Sequence, residues 1–152
     1  MEIDLINHPP HYQAIFGGNL VCNDITGMLP FNLGNIVKYA WRVGLKGGRE
    51  GAVSDAGKIG WYLDAYMHQV INEATYKCYE PILKDARKKF RGVKDVLHTK
   101  ELTPNDILLH AKYKFIRDVL AMNPTNTPKK VFKLLASMHH LRMCLFLNAP
   151  EG

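Results

Sequence analysis

The fold of this chain is decided by the stretch PFNLGNIVKYAWRVGLKGGREG, residues 30–51. Pro30 suits the start of a helix because its fixed φ is already helical. Polar and aromatic residues then recur at helical spacing: Phe31, Asn35, Lys38 and Arg42. This pattern predicts a helix over residues 31–43. The four glycines in residues 44–51 make a helix interior too costly, so a loop is expected there.

Further helices are predicted on both sides of this stretch. A short helix is expected within residues 20–29. After the glycine loop, Ser54 or Asp55 is expected to cap a long helix with one broad apolar face. That helix should run to about Tyr79, because Pro81 would end or kink it.

Two Thr-Pro pairs predict the starts of two more helices, with Thr103 and Thr127 as caps. The first helix should bury Leu108, Ala111, Phe115 and Val119. The second carries a stripe of Val131, Leu134, Met138, Leu141 and Leu145. Such a stripe is typical of a core face or of pairing with another subunit. We expect the two helices to form an antiparallel pair packed on the amino-terminal half.

These elements predict an all-α fold. The composition, 47% hydrophobic and 22% charged residues, is that of a globular rather than a disordered chain, and 152 residues suit a single domain. Prolines and glycines in residues 1–18 predict an extended arm that leads into a compact helical body. The antiparallel helix pair would then complete the domain at the carboxy-terminal end.

Charge and composition narrow the range of partners and compartments. A net charge of +6 and a pI near 9.2 favour an anionic partner. The apolar stretches are too short for a membrane span and the chain starts without a signal-like segment, so we expect a cytoplasmic protein. Three widely spaced cysteines predict reduced, mostly buried thiols rather than disulfides.

Two clusters of polar residues are candidates for chemistry, each on one predicted helix face. The first is Asn35, Lys38 and Arg42, followed by Lys46 in the glycine loop; together they could grip one anion. The second is Asp55, Lys58 and Tyr62. Helix capping alone would explain Asp55, and an exposed polar face would explain the rest. A third element, His11-Tyr12, could cover a base by stacking.

These residues form an ordered motif: His11-Tyr12, Cys22-x-Asp24, Gly34-Asn35-x-x-Lys38-Tyr39-x-x-Arg42-x-Gly44-x-Lys46 and Asp55-x-x-Lys58-x-x-x-Tyr62-Leu63. The motif resembles a small domain family of tailed phages. That family was long without an assigned function, and it includes a phage nucleotide kinase. The resemblance covers about residues 8–66. This sequence departs from the family pattern at Val21, where an acidic residue is common, and at Ala56 and Gly60, where larger apolar residues are common.

The resemblance implies a nucleoside monophosphate kinase that transfers phosphate from ATP or another triphosphate to dGMP or dTMP, with Mg²⁺, in a host cytoplasm. Residues 8–72 would form the nucleotide-binding core and residues 73–152 an added helical region for a homo-oligomer. The implied catalytic residues are Arg42, Asp55 and Lys58. The implied nucleotide ligands are His11, Tyr12, Asn35, Lys38, Tyr39, Arg42, Lys46 and Tyr62. The implied metal ligands are Asp24 and Asp55.

Three other functions were compared with this kinase hypothesis. A P-loop kinase is excluded, because residues 51–59 have one residue too many between the glycines and no Ser or Thr after Lys58. A non-enzymatic sponge for a defence nucleotide would need the same cations without metal carboxylates, and Val21 favours it. A nucleic-acid module using the basic run at residues 84–100 is weaker, because no aromatic pattern is interleaved with that run.

Overall fold

A computed structural model describes residues 10–93, 104–123 and 128–147. Within these ranges, a single 3₁₀ turn, Pro10–Tyr12, precedes six α-helices: α1 Cys22–Thr26, α2 Phe31–Arg42, α3 Gly48–Val70, α4 Glu73–Arg91, α5 Pro104–Leu120 and α6 Pro128–Leu147. No strand occurs within these ranges, so the predicted all-α fold is confirmed. Buried apolar side chains from all six helices form one core.

Helix α2 lies at the centre of the core. Its fully buried side chains are Leu33, Ile36, Val37, Ala40 and Trp41. They recur at spacings of three and four residues because 3.6 residues complete one turn, so a single face points inward. Against that face pack α1, α3 and α5. The prediction of a helix over residues 31–43 is therefore confirmed to within one residue.

The glycine loop is shorter than the sequence predicts, and α3 begins six residues before Ser54. Gly47 takes a left-handed φ of +76° at the helix start, and the Gly51 amide donates to its carbonyl at 2.9 Å. Glycine adopts that φ without steric cost. The expected cap at Ser54 or Asp55 is wrong, because both residues lie inside α3.

The predicted single helix to Tyr79 is two helices. Helix α3 ends at Val70, and the Asn72 side chain caps α4 by accepting a hydrogen bond from the Thr75 amide at 3.2 Å. Pro81 lies inside α4 without ending it. Pro81 and Lys77, four residues earlier, are both exposed, so water can hydrate the carbonyl that lacks an amide donor.

Only the first part of the basic run at residues 84–100 lies within the described residues. Its first part lies on α4, where Lys84, Lys88, Lys89 and Arg91 are exposed, as a solvated helix face requires. Residues 94–100 lie outside the described residues.

Helices α5 and α6 form the predicted antiparallel pair. Near the end of α5, Asp118 accepts a hydrogen bond from Ser137 in the first half of α6. At the opposite end, Leu108 and Leu145 both lie beside Gly44. The chain directions are therefore opposed. The caps predicted at Thr103 and Thr127 lie outside the described residues.

Both helices of the pair bury the faces that their spacing predicts. Ala111, Phe115 and Val119 are buried on α5, whereas Leu108 is half-buried. The buried residues of α6 include Leu134, Met138, Leu141 and Leu145. In the described ranges, no helix combines the length and apolarity needed to cross a bilayer.

The arm before α1 enters the core instead of lying over it. Phe16 is 1% exposed, and its ring meets the ring of Trp41 edge-on at 4.8 Å between centroids. Edge-on contacts to Phe90 at 5.5 Å and Tyr113 at 6.3 Å complete its surroundings. Such geometry suits aromatic quadrupoles. Phe16 thus joins α2, α4 and α5, while residues 1–9 of the predicted arm lie outside the described residues.

Candidate functional site

The ring of Tyr39, on α2, is the centre of the candidate site. Three cationic groups lie against it: Lys38 Nζ at 4.9 Å, Arg42 Cζ at 4.6 Å and Lys58 Nζ at 5.1 Å from the ring centroid. These distances are within the roughly 6 Å over which a ring attracts a cation. Lys38 and Arg42 come from α2 and Lys58 comes from α3. The helix pair therefore brings together three residues that the sequence analysis singled out in two separate clusters.

Each nitrogen of the Arg42 guanidinium donates a hydrogen bond inside the protein. Its Nε donates to Asp55 Oδ2 at 3.1 Å and its Nη2 to Asp55 Oδ1 at 2.8 Å. Its Nη1 donates to the Tyr12 hydroxyl at 2.9 Å. The Arg42 and Asp55 side chains are only 12% and 3% exposed. This two-pronged pair neutralises both charges and ties α2, α3 and the arm together.

The two lysines are chemically different from Arg42. Neither Lys38 nor Lys58 forms an ion pair with any described residue. Lys58 is exposed and Lys38 is half-buried, so each ammonium can exchange its water for a ligand. With the Arg42 charge offset by Asp55, this lysine pair gives the surface beside Tyr39 a net positive charge.

An aromatic platform lies beside the lysine pair. Tyr62 stacks on Tyr39 with 6.0 Å between centroids and 15° between planes. Phe31 and Trp61 each meet Tyr62 edge-on, at 6.0 and 5.0 Å. Phe31 is 74% exposed and Trp61 is 66% exposed, a large apolar area to leave in water. The sequence analysis predicted Tyr62 but missed Phe31 and Trp61, whose helical positions alone could equally have been buried.

His11 and Lys46 lie at the edge of the Arg42–Asp55 pair. The His11 and Tyr12 rings are 4.2 Å apart. Burial lowers the pKa of His11, and the positive charges of Lys46 and Arg42 lower it further. A neutral imidazole is therefore favoured at pH 7. Lys46 is exposed in the turn between α2 and α3.

Lys112, which the sequence analysis missed, reaches the site from α5. Its side chain is 1% exposed, and Nζ donates to the Trp41 carbonyl at 2.8 Å. Trp41 is in the last turn of α2, where carbonyls lack helical partners and favour a cation. Burial lowers the pKa of Lys112 to about 7, and the charge of Asp55 opposes that shift. The spacing of charged residues could not predict this role for Lys112, because Trp41 is 71 positions away in the sequence.

The two carboxylates predicted for Mg²⁺ are engaged on different elements. Asp24 accepts a hydrogen bond from the Val21 amide at 2.9 Å and thereby caps α1. Both oxygens of Asp55 are occupied by Arg42. The described residues contain no group of three or more His, Cys, Asp or Glu side chains that could hold a metal ion. Asp55 would therefore have to separate from Arg42 before its carboxylate could hold Mg²⁺.

Asn35 turns back on its own helix. Its side-chain amide donates to the Phe31 carbonyl at 2.9 Å. The Asn35 side chain is half-buried and lies one turn before Tyr39. Asn35 is therefore near the cluster in sequence but makes no hydrogen bond to its cations.

Comparison with known proteins gives one finding for this segment. Residues 6–64, less than half of the chain, match a family described as "protein of unknown function (DUF3310)". No curated protein matches, and no solved structure matches. The identification of the motif with a phage nucleotide kinase family is therefore wrong: the matching family carries no assigned function, and nothing in the match names it a kinase.

Proposed function

We propose that the surface around Tyr39 binds a nucleoside phosphate. The observation that carries this proposal is the adjacency of two unpaired lysines and an exposed aromatic platform on the same helix pair. A nucleotide has the complementary arrangement, an anionic phosphate beside a flat base. The match to residues 6–64 covers the same helices without assigning them a function.

The lysine pair supports a phosphate ligand. A phosphate monoester carries about −1.5 to −2 charges at pH 7. Two ammonium groups, 4.9 and 5.1 Å from one ring centroid, can offset that charge. Lys46, exposed at the next turn, adds a third cation without a described ion pair.

The aromatic platform supports a base or nucleoside attached to that phosphate. Phe31 and Trp61 flank Tyr62 and present most of their surface to solvent. Stacking a base on such a side chain contributes about 1–3 kcal/mol. Inorganic phosphate alone would leave this platform uncovered, so a nucleotide is expected to bind more tightly than phosphate.

Retention of the nucleotide is the version that the geometry favours. Arg42 and Asp55 are bound to each other, so catalysis by either one would require their pair to open. A binder that sequesters a nucleotide signal needs only the lysines and the platform. Such a protein would act in the cytoplasm, and the homo-oligomer expected from residues 73–152 remains part of the proposal, testable by light scattering.

The second candidate is the kinase reaction on dGMP or dTMP, with a triphosphate donor and Mg²⁺. It is favoured by the position of Asp55 one turn before Lys58 on α3, close to the expected phosphate. Substrate binding would have to separate Asp55 from Arg42 before the carboxylate could act. Phosphoryl transfer depends mostly on positioning and charge, which the cluster could supply.

Calorimetric titration with a panel of nucleoside mono- and triphosphates, nucleosides and inorganic phosphate tests binding. We expect nucleotides to bind and to exceed phosphate. Lys58→Gln should weaken binding about fivefold, as the loss of about 1 kcal/mol from an exposed charge pair implies. Lys84→Gln, which removes the same charge from exposed α4, should not. Equal affinity in both variants, or no binding at all, would overturn the proposal.

Incubation with dGMP or dTMP, ATP and Mg²⁺ separates the two versions. Retention predicts that monophosphate is recovered unchanged, whereas a kinase yields the diphosphate at a rate proportional to enzyme. Lys58→Gln is the matched control for any activity, because a contaminating kinase would survive that substitution.

A further inference from the structure

A cavity separate from the Tyr39 surface lies between α3 and α6. Its volume is about 310 Å³. Small and apolar side chains form most of its wall and two arginines its edge: Ala52, Ala56, Leu145, Phe146, Arg49 and Arg142. The volume is at the lower end of the roughly 300–1,000 Å³ usual for small-molecule sites.

The small residues of α3 create this space. Ala52 and Ala56 are four positions apart and therefore share one helix face. Gly60 continues that face, and a Cβ there would meet Arg142 Nη2 at 3.4 Å and Met138 Cε at 3.7 Å. Side chains of α6 thus reach α3 at Gly60, whereas the space beside Ala56 stays open.

The edge of the cavity is positively charged. Arg49 and Arg142 are both exposed, and neither forms an ion pair with a described residue. Helix α6 carries no Asp or Glu anywhere along Pro128–Leu147. Arg49 also lies in the first turn of α3, where the helix dipole favours an anion.

Phe146 forms an apolar lip on the cavity. It is 81% exposed, although it contributes to the cavity wall. Val53, 69% exposed, lies on the α3 side of the same opening. Apolar side chains at the mouth of a cavity with cations at its edge would be covered by a ligand that is apolar along its body and anionic at its end.

We propose that the α3–α6 cavity binds a small amphiphilic anion, with its hydrocarbon body against Ala56 and Leu145 and its carboxylate on Arg142. The charge complementarity selects a carboxylate end over a neutral one, and the cavity volume selects a single chain of moderate length. This site is independent of the Tyr39 surface, because Asp55 faces α2 whereas Ala56, the next residue on α3, faces α6.

Titration with sodium decanoate tests the proposal, with decanol as the uncharged chain of equal length. Isothermal calorimetry should detect one decanoate per protein chain and at least tenfold weaker binding of decanol. Displacement of 1-anilinonaphthalene-8-sulfonate, a fluorescent aryl anion, gives a second readout. Equal affinity for decanoate and decanol would overturn the assignment of Arg142.

Two variants locate the site. Ala56→Leu fills the cavity without changing charge and should abolish decanoate binding. Arg142→Gln keeps the cavity and should weaken decanoate about tenfold, the loss expected for one charge-assisted hydrogen bond, while decanol is unaffected. Lys89→Gln on exposed α4 is the charge control. Unchanged decanoate binding in both cavity variants, or no binding to the unmodified protein, would refute the proposal.

Discussion

Arg42 holds both carboxylate oxygens of Asp55, at 2.8 and 3.1 Å, and this pair joins α2 to α3 in the protein interior. The pair lies beside the Tyr39 ring, since Arg42 Cζ is 4.6 Å from the ring centroid. The lysines lie outside the pair, the Tyr12 hydroxyl lies on its arm side, and Lys112 approaches from α5. The pair therefore links the stability of the helix bundle to the geometry of the surface.

Arg42→Met and Asp55→Leu should each lower the free energy of unfolding by about 3–5 kcal/mol, because each leaves a buried charge without its partner. The double variant should lose much less than the sum, since no unpaired charge remains. Urea unfolding monitored by circular dichroism measures all four proteins. Additive losses would contradict the structural role assigned to the pair.

Lys112 should make stability depend on pH. Burial lowers its folded-state pKa to about 7, whereas the unfolded value is 10.5. Between these values the unfolded chain binds more protons than the folded one, so stability should rise as pH increases from about 7 towards 10.5. In Lys112→Met this rise should be much smaller. Unfolding by urea at a series of pH values compares the two proteins, and parallel curves would contradict the prediction.

The Tyr66 hydroxyl is buried and has no hydrogen-bond partner among the described residues. Tyr66→Phe should therefore raise the free energy of unfolding by about 1 kcal/mol, because an unsatisfied buried polar group is removed. Tyr12→Phe is the opposite case, since its hydroxyl accepts from Arg42, and should lower stability. Thermal unfolding distinguishes them; a loss of stability in Tyr66→Phe would mean that its hydroxyl is satisfied.

The three cysteines are unequally accessible, with Cys22 and Cys144 buried and Cys78 exposed. Burial raises the pKa of Cys22 to about 12 and also raises that of Cys144. A thiol reagent should thus modify one cysteine quickly in the folded protein and all three in urea. Cys78→Ser should remove the fast reaction; its persistence would place another thiol at the surface.

The helices that the sequence predicts well are those whose signals are local. Spacing alone located α2 and the buried stripes of α5 and α6. The start of α3 was not predicted, because glycine propensity opposes a helix there, whereas the packing of α3 against α2 that favours it depends on contacts that local spacing does not show. The break before α4 did have a local signal, Asn72 as a cap, but Pro81 outweighed it in the prediction.

The candidate site was predictable in its cations but not in its surroundings. Lys38, Arg42 and Lys58 share two helix faces, so their spacing was sufficient to propose a cluster. To predict that Asp55 neutralises Arg42, one would need to know how α2 and α3 are rotated relative to each other. Phe31, Trp61 and Lys112 could not be predicted from spacing. Their roles depend on which helix faces stay in water and on how α5 packs, and both depend on the whole chain.

The ring of Phe16 has a consequence for how the matched segment can be used. Phe16 and Trp41 belong to that segment, whereas Phe90 and Tyr113, which enclose them, come from α4 and α5. An excised 6–64 fragment would therefore leave two large rings uncovered, and we expect it not to fold on its own.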